Sequence, residues 1–297
     1  MGLSDETRGW LLGLVGVTLF SLTLPATRVA VAVLDPVLVG LGRALVAAVL
    51  AGALLLATRQ PLPRGREWLR LAACAGGVVL GFPLLSAWAL QAVPAAHGAV
   101  VLGVLPLATA LFGALLVQER PSLAFWAVGL LGAVLVVAFA LREGGGSLLW
   151  EDLALLAAVF AAGLGYAEGA RLSRRLGGWQ TISWALVVSI PVLLWPVAEA
   201  AGRQDFAAVP AEAWIAFAYV ALVSQYLAFF AWYRGLALGG VARVGQVQLL
   251  QAFLTLGFAA AINGEAIGWD TALFAAAVVA CVALGRRLPV ARAPAAS

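Results

Sequence analysis

Apolar runs of about 20 residues recur from one end of the chain to the other, separated by short polar joins. Wound as a helix at about 1.5 Å per residue, a run of that length crosses the roughly 30 Å of hydrocarbon in a bilayer. The spans read in this way are 10–32, 37–57, 68–90, 96–117, 122–141, 150–170, 179–198, 212–234, 242–262 and 268–286. Composition agrees: 64% of the 297 residues are hydrophobic and 11% are charged, against about 45–50% and about 25% in a soluble domain. The period-two alternation of an outer-membrane barrel is missing. The expectation is an all-α integral membrane protein with ten transmembrane helices, whose joins are too short to form a separate extramembrane domain.

Several chemistries are excluded by what the chain lacks. All 18 basic residues are arginine, which removes the P-loop lysine, and with it ATP-driven transport by this chain alone, and also removes Schiff-base cofactors. One histidine, His97, and two cysteines, Cys74 and Cys281, cannot assemble the usual four-ligand Cys/His zinc site. Both cysteines fall in apolar runs, where a thiol is a small packing group. No cofactor and no metal is expected. The net charge of +4 reflects arginine-rich joins rather than a nucleic-acid surface.

Leu11 to Leu24 has the length of a signal-peptide core, but Asp5 and Glu6 offset the single arginine before it and Arg28 interrupts the cleavage region. It reads as an uncleaved first span. With the N-terminus inside, cytoplasmic segments collect Arg8, Arg59, Arg64, Arg66, Arg70, Arg120, Arg171, Arg174, Arg175, Arg234, Arg286, Arg287 and Arg292. The other joins hold Arg142 and Arg203 among Asp35, Glu143, Glu151, Asp152, Glu199, Asp205, Glu212, Glu265 and Asp270. The arginine bias puts both termini in the cytoplasm.

The join from Leu141 to Asp152, with its Gly144-Gly145-Gly146-Ser147, separates two weakly similar stretches, 1–143 and 148–290. Trp10, Phe20 and Arg28 have the mutual spacing of Trp150, Phe160 and Glu168. Pro94-Ala95-Ala96-His97 is echoed by Gly240-Val241-Ala242-Arg243, and Gln118-Glu119-Arg120 by Asn263-Gly264-Glu265. Five spans per copy is an odd number, so the second copy enters the membrane from the opposite side. Two inverted repeats of this kind are an architecture of secondary transporters, with the substrate site near the midplane.

The five-plus-five spans, Arg43 within Gly40-Leu41-Gly42-Arg43-Ala44-Leu45, and the glutamate joins before spans five and ten resemble the drug/metabolite transporter superfamily in its EamA-type branch. The likeness covers essentially the whole chain. Within that branch the sequence is similar to the YddG-type exporters of aromatic and other neutral amino acids, methionine among them. The resemblance implies a basket of ten helices in a bacterial inner membrane, with a cavity lined chiefly by spans three, four, eight and nine. Its partners would be an amino acid and the lipid bilayer, and a monomer is the expected unit.

A cavity for a large neutral amino acid needs aromatic walls and a few fixed polar groups. The substrate-binding candidates are Ser86 and Trp88 in span three, Tyr166 in span six, Trp184 in span seven, Tyr226 in span eight, and Gln246, Gln248 and Gln251 in span nine. Membrane amides usually point inward. Charges inside spans are functional candidates by default: Arg28 and Glu168, each near enough to a span end to snorkel; Arg43, about 10 Å deep at 1.5 Å per residue and expected to clamp carbonyls or carboxylates, with substrate contact as the alternative; and Arg243. His97 opens span four, either as a proton carrier or as a hydrated helix-end residue, and pairs with Arg243 as gates at opposite mouths. Pro83, Gly103, Pro106, Gly239, Gly240 and Gly245 interrupt or flank spans three, four, eight and nine, and are candidate hinges.

No carboxylate stands at mid-span, which favours facilitated export over obligatory proton antiport. The competing class is an integral-membrane transferase acting on lipid groups. It would need paired acids with histidines at the interface, and Glu151-Asp152 has no second histidine to join it.

Overall fold

The structure is a computed structural model, and it describes residues 4–117, 119–143, 149–286, 288 and 290–292. The glycine join at 144–148, Gln118 and Arg287, on which parts of the duplication and orientation readings fall, lie outside them. In chain order the helices are α1 (Asp5–Val31), α2 (Leu38–Ala57), α3 (Glu67–Ala89), α4 (Ala95–Leu116), α5 (Leu123–Glu143), α6 (Trp150–Leu176), α7 (Gly178–Arg203), α8 (Ala211–Gly239), α9 (Val241–Asn263) and α10 (Trp269–Arg286). Eight are long and apolar enough to cross a membrane. The apolar stretches of α5 and α10, Leu123–Phe139 and Trp269–Cys281, are shorter.

Burial follows a membrane solvent. Leu123 and Trp269 are about nine-tenths exposed, while Ser86, Thr181, Ser183 and Asp152 are fully buried. A helix satisfies its own backbone hydrogen bonds, so an apolar side chain can face lipid freely, whereas a polar one must turn inward to find a partner. One departure from an all-α fold is a short antiparallel pairing of β1 (Glu119–Pro121) with β2 (Val290–Arg292). Both strands lie just past helix ends, where backbone groups have no intrahelical partners.

Small residues set the closest helix contacts. α1 runs along α8, and a Cβ added at Gly9 would stand 2.7 Å from the Gly239 nitrogen. α3 crosses α6 equally tightly: a Cβ at Gly77 would stand 2.3 Å from the Ala161 carbonyl oxygen. No larger residue fits either crossing without moving backbone. Around this centre α2 packs on α7, α4 on α6 and α9, and α5 with α10 at the periphery.

Six helices are irregular. α1 breaks at Leu22, two residues before Leu24-Pro25. α2 opens with a π-helical turn, Leu38–Gly42; α3 contains another, Gly76–Gly81; and α8 contains a longer one, Tyr219–Leu227. α4 is interrupted between Leu102 and Leu105, and α9 tightens to a 3-10 turn at Gln246–Gln248. The candidate hinges sit at these points. Pro83 enters the α-helical segment after the π turn of α3, Gly103 ends the first segment of α4, Pro106 opens the second, and Gly245 precedes the 3-10 turn of α9. Gly239 and Gly240 form the α8–α9 join, where Gly240 has φ +93°, a conformation that side chains rarely adopt. Pro191 leaves α7 continuous from Gly178 to Arg203.

The N-terminal end of α1, the α8–α9 join and the strand pair meet at one end of the bundle. There Glu6 pairs with Arg243 at 3.1 Å, and Ala110, Phe125 and Ala242 cluster with Leu288. The opposite end gathers the α3–α4 and α9–α10 joins with the start of α6.

Candidate functional site

The irregular turns converge. A small cavity near the middle of the bundle is lined by Phe20 and Thr23 of α1, Arg43 of α2, Val78 and Phe82 of α3, Ala162 and Tyr166 of α6, Ser224, Gln225 and Phe229 of α8, and Gln251 of α9. Thr23 follows the break in α1, Arg43 follows the π turn of α2, and Val78, Ser224 and Gln225 lie inside π turns. A π turn inserts a residue, which shifts the phase of the side chains that follow, and such turns recur at functional sites. The free space is about 20 Å3, room for a water or two, so the walls are closed on one another in this conformation.

Part of the lining is polar and already bonded. Thr23 Oγ1 and Ser224 Oγ share a hydrogen bond of 2.8 Å, and Gln225 Nε2 donates to the Val78 carbonyl at 3.0 Å. The aromatic part is Phe20, Tyr166 and Phe229, with Phe20 meeting Phe229 edge-on at a centroid distance of 5.0 Å and Tyr166 6.2 Å from Phe20. Two groups are left over. Arg43, 1% exposed, has no hydrogen-bond partner at Nε or Nη1 among the described residues, and Gln251 has none at Oε1. The clamp expected of Arg43 is therefore not formed at those two nitrogens. Arg43 directly follows the π turn of α2 and is one of the residues that line the cavity.

The structure divides the other candidates. Tyr166 and Gln251 line the cavity; Ser86, Trp88, Trp184, Tyr226, Gln246 and Gln248 do not. Ser86 is buried and donates back to the Phe82 carbonyl at 2.6 Å, whereas Trp88 is 41% exposed. Two positions along a helix are about 200° apart, so these two cannot share a face. Trp184 stands edge-on to Trp68 and Tyr226 bonds Ser183 at 2.8 Å, both in helix-packing contacts. Gln248 donates to the Gly245 carbonyl at 2.9 Å within the 3-10 turn. Gln246, buried beside it, has no partner for either amide atom among the described residues. Phe20, Thr23, Val78, Phe82 and Ala162 carried no charge or amide to mark them in the sequence.

The charged candidates also separate. Arg28 donates to the Leu90 and Gln91 carbonyls, capping the end of α3. Arg243 is exposed with Glu6. Glu168 is buried with Oε2 unpartnered among the described residues, its other oxygen 3.9 Å from Arg171, and it does not line the cavity. His97 stands in the first turn of α4 and is 6% exposed, and its Nε2 lies 2.6 Å from Oδ1 of Asp152, which is wholly buried. Asp152 Oδ2 accepts from the Leu149 N–H at 3.0 Å. Beside them Glu265 accepts from the Ala95 and Ala96 N–H groups at 2.8 and 2.7 Å, closing the N-terminus of α4. This end carries a more open recess of about 240 Å3, lined by Pro94, His97, Phe139, Glu265 and Thr271 among others. Among the described residues no group of three histidine, cysteine or acidic side chains is placed to hold a metal ion.

The EamA-like transporter family matches the chain twice, over residues 7–142 and 149–285. The uncharacterized transporter YdeK of Bacillus subtilis (strain 168) is 50% identical over 285 residues, covering 96% of this chain and 99% of that protein. A crystal structure at 22% identity superposes with a TM-score of 0.67 over 95% of this chain and 99% of its own, which is a likeness of fold.

Proposed function

The chain belongs to the EamA-like transporter family, and from that premise we propose that it is a secondary carrier exporting a small organic solute by alternating access around the central cavity. It is a multi-pass membrane transporter rather than an enzyme. Asp152, one of the two acids a transferase would have needed, is engaged by His97 and by the backbone of its own helix turn. The proposed cargo is an aromatic or other large neutral amino acid, methionine included. The proposed setting is a bacterial inner membrane with both termini cytoplasmic, and the ten helices work as two inverted five-helix repeats.

One observation carries the reading: α1, α2, α3, α8 and α9 depart from regular helix where they border a single cavity or within a turn or so of it. Irregular backbone at membrane depth is tolerated where protein covers it or where it lines a cavity, and in transporters it marks binding sites. The twofold family match and the meeting of the α1 start with the α8–α9 join at one end of the bundle support the repeat. The test is flux of labelled phenylalanine through liposomes holding the purified protein. The reading predicts saturation and acceleration by unlabelled phenylalanine on the far side; flux that is linear in concentration and indifferent to the far side would be that of a channel and would end it.

A further inference from the structure

Resting on that reading, we propose that the cavity is a carboxylate site: Arg43 takes the acid group of the cargo, and the cargo's amino group is the lesser determinant. The observation is an imbalance of charge. Arg43 is buried, lines the cavity and leaves Nε and Nη1 without partners, and the lining contains no aspartate or glutamate. Arginine keeps its proton in proteins, and an unpaired charge at membrane depth is costly unless it faces a cavity or a partner. The planar fork of a guanidinium matches the two oxygens of a carboxylate, and their attraction is strengthened where water is excluded.

An ammonium entering the same cavity finds nothing comparable. It meets the neutral Oε1 of Gln251 and the rings of Phe20, Tyr166 and Phe229. Glu168 is the acid closest along the chain, but it stands two residues from Tyr166 and so on another face of α6. Thr23 and Ser224 share one hydrogen bond and Gln225 Nε2 donates to Val78, so what this part of the lining offers an ammonium is neutral oxygen and no carboxylate. The three rings suit an aromatic or long apolar tail, so the cargo class is a monocarboxylate with such a tail, amino acids being one case.

The experiment is thermal unfolding of the purified full-length protein in detergent, with phenylalanine, 3-phenylpropionate (no amino group), phenylalaninamide and phenethylamine (neither with a carboxylate), and sodium chloride as probes. The two carboxylates are expected to raise the unfolding temperature of the wild type, with the amide and the amine requiring on the order of tenfold higher concentration or more. Arg43→Lys keeps the preference in weakened form. Arg43→Gln abolishes it while unfolding, without ligand, at or above the wild-type temperature. Equal responses to acid and amide, stabilisation by chloride that matches the carboxylates, or an Arg43→Gln protein that fails to fold because the arginine is a clamp, would each overturn the proposal. Saturable phenylalanine flux that the amide inhibits as well as the acid would sink the carboxylate site and leave the carrier standing. Arg43-dependent stabilisation by carboxylates without phenylalanine flux would do the reverse.

Discussion

Two buried basic side chains in this molecule have opposite surroundings. His97, near one end of the bundle, holds a buried aspartate at 2.6 Å and is flanked by a glutamate that caps the helix it stands on. Arg43, in the middle, has two nitrogens with nothing to bond to among the described residues. A buried polar pair that satisfies itself ties two helices together and asks for nothing further. A buried charge left unsatisfied destabilises the resting protein and is relieved by whatever enters beside it. The first arrangement fastens α4 to α6; the second is the property expected of a receptor.

The contrast predicts mutational effects of different size and sign. Asp152→Leu, which strands His97, is expected to cost about 3 kcal/mol of stability by chemical unfolding in detergent. The double variant with His97→Leu should lose measurably less than the sum of the two singles. Additivity would show that the pair is not a latch. Glu265→Ala, which frees the Ala95 and Ala96 N–H groups, should cost about 1–2 kcal/mol. The same assay should register no loss for Arg43→Met, and a gain on the order of 1 kcal/mol, although liposome flux is abolished. A loss as large as that of Asp152→Leu would erase the distinction between the two sites. Trp88→Ala, at an exposed position outside both, should change stability by no more than about 0.5 kcal/mol and leave flux unaltered; impaired flux would mean that the cavity extends to that face.

Legibility in the sequence varied by residue. Spans α1 to α4 and α6 to α9 could be placed because length and apolarity are local quantities. Tyr166 and Gln251, chosen for being aromatic or amide within a span, line the cavity. Trp88, chosen on the same grounds, faces away because helical phase relative to a neighbour is not a property of one segment. Asp152 was read as one of a pair of acids in a join, since nothing near it in the chain indicates that His97, 55 residues earlier, would reach it. The β1–β2 pairing brings together strands about 170 residues apart, which no local pattern announces.

What the amino-acid sequence determined by itself is the solvent of this protein and a few devices it cannot use: the runs are too apolar for water, and a chain with no lysine and one histidine has no P-loop lysine, no Schiff-base lysine and no four-ligand Cys/His zinc site of the usual kind. What only the tertiary structure decided is which charges are spoken for. Whether an arginine or a histidine is satisfied depends on atoms brought within about 3 Å from distant parts of the chain, and the packing of α2 left Arg43 without partners at Nε and Nη1 among the described residues while that of α4 on α6 closed His97 onto Asp152.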